Sequence, residues 1–79
     1  MVTVYTTQTC PHCRSVKRYL AERRIPFHEV DVSRSEEAMR RLQRKSGQTG
    51  VPVIDVNGQI VVGFNRSRLD RALGLRSGA

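Results

Sequence analysis

The chain is short and lacks several kinds of residue on which larger proteins depend. Its 79 residues contain no tryptophan, two tyrosines, two phenylalanines and two cysteines. This length predicts one domain over residues 1–79, too small to enclose a large cofactor, so we expect none tightly bound. No apolar run approaches the ~18 residues of a membrane span, and the start at Met1 lacks the basic leader and apolar stretch of an export signal. We therefore expect a soluble, cytoplasmic monomer with no membrane partner.

Acidic residues are also scarce. The chain has 7 of them against 14 basic ones, a net charge of +7, which makes a nucleic-acid-binding module one alternative. The basic residues, however, are mixed with acids on three predicted helical segments (12–24, 34–45 and 65–76), and few aromatics are available for stacking on bases. We interpret them as a solvated surface, or as an electropositive rim that attracts acidic proteins, and expect no nucleic-acid partner.

The first third of the chain reads as strand, helix, strand. Val2–Thr7 is β-branched and aromatic with near alternation, which predicts a strand. The segment from His12 to about Arg23 has helical periodicity, and Ile25-Pro26 should end it because a residue before proline disfavours helical geometry. A second strand is predicted at Phe27–Val32. The inward face of the helix would comprise Val16, Tyr19 and Leu20.

A second helix is predicted to open at the capping box Ser33-Arg34-Ser35-Glu36, in which a hydroxyl and a carboxylate satisfy unpaired backbone donors. Gly47 would stop this helix in a left-handed conformation. Its inward face would comprise Ala38, Met39 and Leu42.

The last third predicts a hairpin and a short helix. Strands at Val51–Val56 and Gln59–Val62 would be joined by a type I′ turn at Asn57-Gly58. A helix around Ser67–Leu73, closed by Gly74, would follow, and residues 76–79 would form a disordered tail. The order β-α-β-α-β-β-α predicts an α/β sandwich, with a four-stranded mixed sheet flanked by three helices on its two faces.

Cys10-Pro11-His12-Cys13 is the motif that indicates chemistry. Two thiols separated by two residues at a helix start can form a small, reversible disulfide ring. Unpaired N–H groups and the positive end of the helix dipole would lower the pKa of Cys10 from the ~8.5 of a free cysteine, which makes it the candidate nucleophile. Cys13, nearly one turn later, would resolve a mixed disulfide. Pro11 suits the first helical turn, and His12 is either a positive charge beside the thiolate or a solvated residue.

Two other roles for the cysteines are disfavoured. Tetrahedral zinc needs four ligands, and of the two histidines that could join the thiols, His12 lies between them and His28 lies on a remote strand, so we expect no metal site. A permanent structural disulfide is disfavoured by the expected cytoplasmic location and by the short ring.

Gly50-Val51-Pro52 is the second candidate element. A proline at the start of a strand is commonly an ordinary trans residue. In this sequence we expect a cis Val51-Pro52 bond, which would turn the Val51 backbone outward and offer its N–H and C=O to an extended peptide.

Three stretches of the chain carry a resemblance to a known family. They read Val-Tyr-Thr-Thr-Gln-Thr-Cys-Pro-His-Cys at 4–13, Ser-Gly-Gln-Thr-Gly-Val-Pro-Val at 46–53 and Val-Gly-Phe-Asn at 62–65. Together they resemble the glutaredoxin family, small members of the thioredoxin fold, over nearly the whole chain. The resemblance implies a thioredoxin-like sandwich in which Cys10 and Cys13 are the redox pair and Pro52 is the cis-proline beside it. It also implies that Gly63, Phe64 and Asn65 form the far wall of the substrate groove.

The departures from that family concern glutathione. Members that use it tend to carry a lysine two residues before the Thr-Cys step, where this chain has Thr7 followed by Gln8, and Thr-Val-Pro in place of Gly-Val-Pro at 50–52. They also tend to carry a Gly-Gly pair followed by an acid that holds the tripeptide's amine. Here Asn65 lacks that charge and Arg66 would repel an ammonium group. We therefore expect weak or no specific glutathione binding.

The resemblance implies a dithiol–disulfide oxidoreductase that reduces protein disulfides as a small electron carrier. The Gly-Phe wall resembles the redoxins that thioredoxin reductase reduces and that serve ribonucleotide reductase. The alternatives are a glutathione-dependent glutaredoxin, with glutathione as co-substrate and electron donor, and an iron–sulfur bridged dimer that uses Cys10 of each chain. Pro-His between the cysteines also resembles strongly oxidising disulfide donors, but the absence of an export signal favours a reductant.

Overall fold

The computed structural model describes residues 1–75, so the predicted disordered tail at 76–79 lies outside the described residues. No helix within residues 1–75 has the length and apolar character needed to cross a bilayer. The elements follow the predicted β-α-β-α-β-β-α order. They are β1 (Val2–Thr6), α1 (Pro11–Glu22), β2 (His28–Asp31), a 3₁₀ turn (Val32–Arg34), α2 (Glu36–Ser46), β3 (Val53–Val56), β4 (Gln59–Val62) and α3 (Arg66–Leu73).

The four strands form one mixed sheet in the order β2-β1-β3-β4. β1 runs parallel to β2, with Thr6 opposite Asp31, and antiparallel to β3, with Tyr5 opposite Val53. The ends of β1 and β2 and the start of β3 therefore share one edge of the sheet, which we call the cysteine edge because β1 leads from it to Cys10. The α/β fold class predicted from the sequence is confirmed.

Helices cover both faces of the sheet, as predicted. On one face, α1 and α3 bury Val16, Leu20 and Leu69 against the inward side chains of β1 and β3. On the other face, α2 buries Ala38 and Leu42. The apolar spacing read from the sequence therefore identified the buried sides of α1 and α2.

The predicted capping box at Ser33–Glu36 is wrong by two residues. Ser35, not Ser33, is the N-cap of α2, and its hydroxyl accepts a hydrogen bond from the Ala38 amide at 3.1 Å. Ser33 lies in the 3₁₀ turn, where its amide donates to the Asp31 carboxylate at 2.9 Å. Both serines precede an acid by a few residues, so the local pattern alone did not distinguish the two starts.

The starts of β3 and α3 also differ from the prediction, whereas the turn between β3 and β4 agrees with it. β3 begins at Val53, two residues later than expected. Pro52 has no backbone N–H to donate, so the hydrogen-bonded strand does not extend back through Val51 and Pro52. α3 begins at Arg66, one residue before the predicted start. Asn57 and Gly58 both have positive φ, at 51° and 96°, as the predicted type I′ turn requires.

Candidate active site

Cys10 lies at the end of the loop that leaves β1 and is the N-cap residue of α1. Its backbone is extended, with φ −101° and ψ 108°, and its sulfur accepts a hydrogen bond from the Cys13 amide at 3.1 Å. The Cys10 carbonyl accepts the first helical bond, from the Arg14 amide at 3.3 Å. Cys10 is partly exposed, and its sulfur therefore combines access to solvent with a backbone donor that stabilises negative charge.

Cys13 is 1% exposed, one turn into α1. Burial raises the pKa of the Cys13 thiol from 9.0 to about 12, helped by its hydrogen bond to Cys10 and by the charge of Cys10. A backbone hydrogen bond from Thr7 and the charge of Lys17 act in the opposite direction and lower that pKa. Both cysteines are free thiols, and they differ in exposure, since Cys10 is partly exposed and Cys13 is buried.

A polar network that sequence reasoning missed lies near Cys13, under the start of α1. Thr6 is 1% exposed, and its hydroxyl donates to Glu29 Oε2 at 2.8 Å. Lys17 Nζ lies 2.8 Å from the same oxygen. The hydrogen bond from Lys17 lowers the pKa of the Glu29 carboxyl, although burial partly opposes this. Lys17 lies four residues after Cys13 on α1, a spacing that could have indicated their proximity.

Pro11 and His12, the residues between the cysteines, are both exposed. Pro11 occupies the first turn of α1, as predicted, where its missing N–H costs no hydrogen bond. Both side chains therefore lie on the protein surface next to Cys10.

The structure brings Pro52 and Gly63 together. The Val51-Pro52 peptide bond is cis, which confirms the prediction, and Pro52 is buried while Val51 is half-buried. The Gly63 amide donates to the Pro52 carbonyl at 2.8 Å, and Gly63 has φ +77°, a conformation that favours glycine. Because Val53 pairs with Val62 in the hairpin and with Tyr5 in β1, these residues lie at the cysteine edge.

Phe64 and Asn65 follow Gly63 and contact different parts of the molecule. Phe64 is half-buried, and its ring meets Tyr19 of α1 edge to face, with centroids 5.7 Å apart. Asn65 is the N-cap of α3, and its Oδ1 accepts from the Arg68 amide at 3.0 Å. The Asn65 side chain therefore has a structural task, which its predicted place in the groove wall did not reveal.

No group of three or more His, Cys, Asp or Glu side chains that could hold a metal ion occurs within residues 1–75. His12 is in the first turn of α1 and His28 begins β2.

Comparisons with known proteins agree with this architecture. The family model described as glutaredoxin matches residues 2–61. A glutaredoxin-like 8.6 kDa protein of Clostridium pasteurianum is 38% identical over 92% of this chain and 97% of its own length. The glutaredoxin-like protein NrdH of Lactococcus lactis is 33% identical over 87% of this chain and 94% of its own. The solved NrdH-redoxin of Escherichia coli superposes with a TM-score of 0.77 at 28% identity, covering 99% of this chain and 97% of that one.

Proposed function

Because this chain belongs to the glutaredoxin family of thiol–disulfide oxidoreductases, we propose that it reduces protein disulfides by a dithiol mechanism in which Cys10 attacks and Cys13 resolves. The observation that carries the assignment is the asymmetry of the pair. Cys10 is partly exposed and receives the Cys13 amide at its sulfur, whereas Cys13 is buried and has a raised pKa. An exposed, donor-supported sulfur is suited to attack, and a protected sulfur is suited to the second step.

In the first step, the Cys10 thiolate attacks one sulfur of the substrate disulfide. A bond forms between Cys10 Sγ and that sulfur, the substrate S–S bond breaks, and the departing substrate thiolate takes a proton from solvent. Exposed Pro11 and His12 leave the approach to Cys10 open. The groove that receives the substrate chain would be formed by the cis Val51-Pro52 step and by Gly63, Phe64 and Asn65.

The second step depends on a change at Cys13. Two of the influences that raise its pKa come from Cys10, as a hydrogen-bond partner and as a charge. Once Cys10 is held in a mixed disulfide its negative charge is gone, so the pKa of Cys13 falls toward the value set by burial, Thr7 and Lys17. Cys13 then loses its proton and attacks Cys10 Sγ. The Cys10–Cys13 disulfide forms as the bond between Cys10 Sγ and the substrate sulfur breaks, and the departing substrate thiolate takes a proton from solvent, so the substrate leaves as a dithiol that has gained two electrons.

Three features favour thioredoxin reductase over glutathione as the electron donor. The Asn65 amide is neutral and caps α3, so the carboxylate that would hold the amine of glutathione is missing. Arg66 beside it is exposed and positively charged. Relatives over nearly the full length include proteins named NrdH. We therefore infer a small electron carrier that serves disulfide-containing enzymes such as ribonucleotide reductase, with glutathione as the alternative co-substrate.

Two coupled assays test the donor and the mechanism together. NADPH consumption is followed with a protein disulfide as acceptor, in one arm with thioredoxin reductase and in the other with glutathione and its reductase. We expect rapid turnover in the first arm only, and rapid turnover confined to the second would overturn the donor assignment.

Serine variants of the two cysteines test their roles in the same assays. Cys10→Ser should abolish attack, whereas Cys13→Ser should accumulate a mixed disulfide detectable by mass spectrometry and lose turnover of protein disulfides. Full turnover by Cys10→Ser would show that the roles are wrong, and full turnover by Cys13→Ser would show that one thiol suffices.

A further inference from the structure

A cleft of about 290 Å³ lies between α1 and α3, beside the predicted substrate groove. Two aromatic rings, Tyr19 and Phe64, line it and meet edge to face at 68°. Tyr19 is 6% exposed, and its hydroxyl donates to the buried carboxylate of Asp70 on α3. These contacts tie the two helices together, so the aromatic side of the cleft is rigid. Phe64 is shared between the cleft and the groove wall.

Three exposed arginines surround these rings: Arg18 and Arg23 from the α1 side and Arg66 from α3. The Arg23 guanidinium lies 3.5 Å from the centroid of the Tyr19 ring, and that of Arg66 lies 5.5 Å from it. Arg23 Nη1 also donates to the Tyr19 carbonyl at 3.2 Å. Two of the three charges are therefore held over a buried ring, which reduces the side-chain entropy that a ligand would have to remove.

The cleft carries an excess of positive charge. Ion pairs within residues 1–75 involve Arg34, Arg41, Lys17 and Lys45, and none involves the three cleft arginines. Glu22 is the one acid among the residues that line the cleft. The nearby Asp70 carboxylate is buried and is engaged by the Tyr19 hydroxyl. Three guanidinium groups thus face one exposed carboxylate.

We propose that this cleft binds an acidic segment of the disulfide-containing protein that Cys10 attacks, with Arg18 and Arg66 contacting its carboxylates. The inference rests on the proposed function, because a cleft that holds an acidic segment assists the reaction only if the neighbouring Cys10 attacks the partner's disulfide. A protein segment fits better than a nucleic acid, since the face of the Tyr19 ring is covered by Arg23 and cannot stack on a base. Arginine forks match carboxylates in planar, bidentate geometry.

The spacing along α1 fixes where the partner's acids must lie. A helix rises about 1.5 Å per residue, so Ser15 at the near end of the cleft is roughly 7 Å along the axis from Cys10, and Arg18 is roughly 12 Å from it. An extended chain advances about 3.3 Å per residue. Acids two to four residues from the partner's cysteine would therefore reach the cleft, and acids eight or more residues away would pass beyond it.

A set of model peptides tests this. The set has four peptides, each with one cysteine activated as a neutral 2-pyridyl disulfide. Three of them carry glutamates, glutamines or lysines, respectively, at two to four residues on both sides of this cysteine. The fourth carries glutamates only at eight to ten residues from it. Attack by Cys10 joins its sulfur to the peptide sulfur and releases pyridine-2-thione, whose absorbance gives the rate. The Cys13→Ser background limits each protein to a single release.

At low salt we expect the near-glutamate peptide to react about tenfold faster than the glutamine and far-glutamate peptides, with the advantage lost at 0.5 M salt. Arg18→Glu and Arg66→Glu should each remove most of it. Arg44→Glu on α2 makes the same change of net charge on the opposite side of the sheet and should preserve the advantage. All three substitutions are at exposed helical positions, and far-ultraviolet circular dichroism checks their folding.

Equal rates for the near-glutamate and glutamine peptides, or equal losses in all three variants, would overturn the proposal, the second by showing that net charge alone attracts acids. An RNA oligonucleotide that inhibits all peptides equally, when no acidic preference exists, would assign the arginines to nucleic acid and overturn it as well. Failure of the proposed function looks different, because Cys10 would then release pyridine-2-thione from the glutamine peptide no faster than free cysteine does.

Discussion

The backbone amide of Cys13 donates its hydrogen bond to the sulfur of Cys10 at 3.1 Å, while the sulfur of Cys13 itself is buried. A single helical turn therefore places a backbone donor at the Cys10 sulfur and buries the Cys13 sulfur. This arrangement requires a helix to begin at the first cysteine, and Pro11 at the first helical position helps to set that start.

Alkylation should separate the two thiols. Burial raises the pKa of Cys13 to about 12, so its thiolate fraction is below that of an ordinary cysteine at every pH below that value and increases with pH from 7 to 10. We expect iodoacetamide to modify Cys10 at least about tenfold faster than Cys13 at pH 7.5, as measured by peptide mass spectrometry. In urea the two rates should converge, and equal rates in the native protein would contradict the assignment.

Substitutions of Lys17 and of Glu29 should change the rate of the resolving step, in which Cys13 attacks the mixed disulfide, in opposite directions. The Lys17 charge lowers the pKa of Cys13, so Lys17→Gln should slow release of substrate from the mixed disulfide by about three- to tenfold at pH 7. Glu29→Gln leaves Lys17 without its partner and should speed that step. Stopped-flow measurement of the second step checks both variants, with the first step as internal control, and changes of the same sign would show that the pair acts only on folding.

The corrected start of α2 gives a stability test. Ser35→Ala removes the hydroxyl that accepts the Ala38 amide and should lower the free energy of unfolding by about 1 kcal/mol. Ser33→Ala is the comparison variant: it keeps the hydrogen bond from its backbone amide to Asp31, loses only the exposed hydrogen bond from its hydroxyl to the same carboxylate, and should therefore cost less than Ser35→Ala. Urea denaturation of both variants measures the difference. A larger loss in Ser33→Ala would restore the start read from the sequence.

Asp55 should account for part of the loss of stability in acid. Burial raises its pKa, but hydrogen bonds from Lys45 at 2.5 Å and from the Gly58 amide at 2.7 Å outweigh this and lower it below 3.8. A lowered pKa contributes stability above the unfolded value, and this contribution is lost as the pH falls through the folded one.

We expect Asp55→Asn, which retains an oxygen for Gly58, to cost about 1 kcal/mol at pH 7 and much less at pH 2. Urea denaturation at both values checks this. Glu37→Gln, which breaks an exposed pair with Arg41, should show little change at either pH, and an equal cost of Asp55→Asn at both would exclude an ionic origin.

The sequence by itself determined the elements and the position of the cysteines. Apolar residues at helical spacing specified the buried faces of α1 and α2, because only one face of a surface helix meets the sheet. Asn57-Gly58 specified its turn, since both residues tolerate positive φ. The thiol spacing at a helix start specified the candidate site, because capping is a local property of the chain.

Only the tertiary structure decided which distant groups meet. The parallel register of β1 with β2 places Thr6 and Glu29 within hydrogen-bonding distance, and the packing of α1 against α3 places Tyr19 beside Phe64 and Asp70. Periodicity shows which side of an element is buried, but not which partner lies opposite, because pairing depends on how the elements align in three dimensions. The burial that distinguishes Cys13 from Cys10, and the charges around the cleft, follow from that alignment.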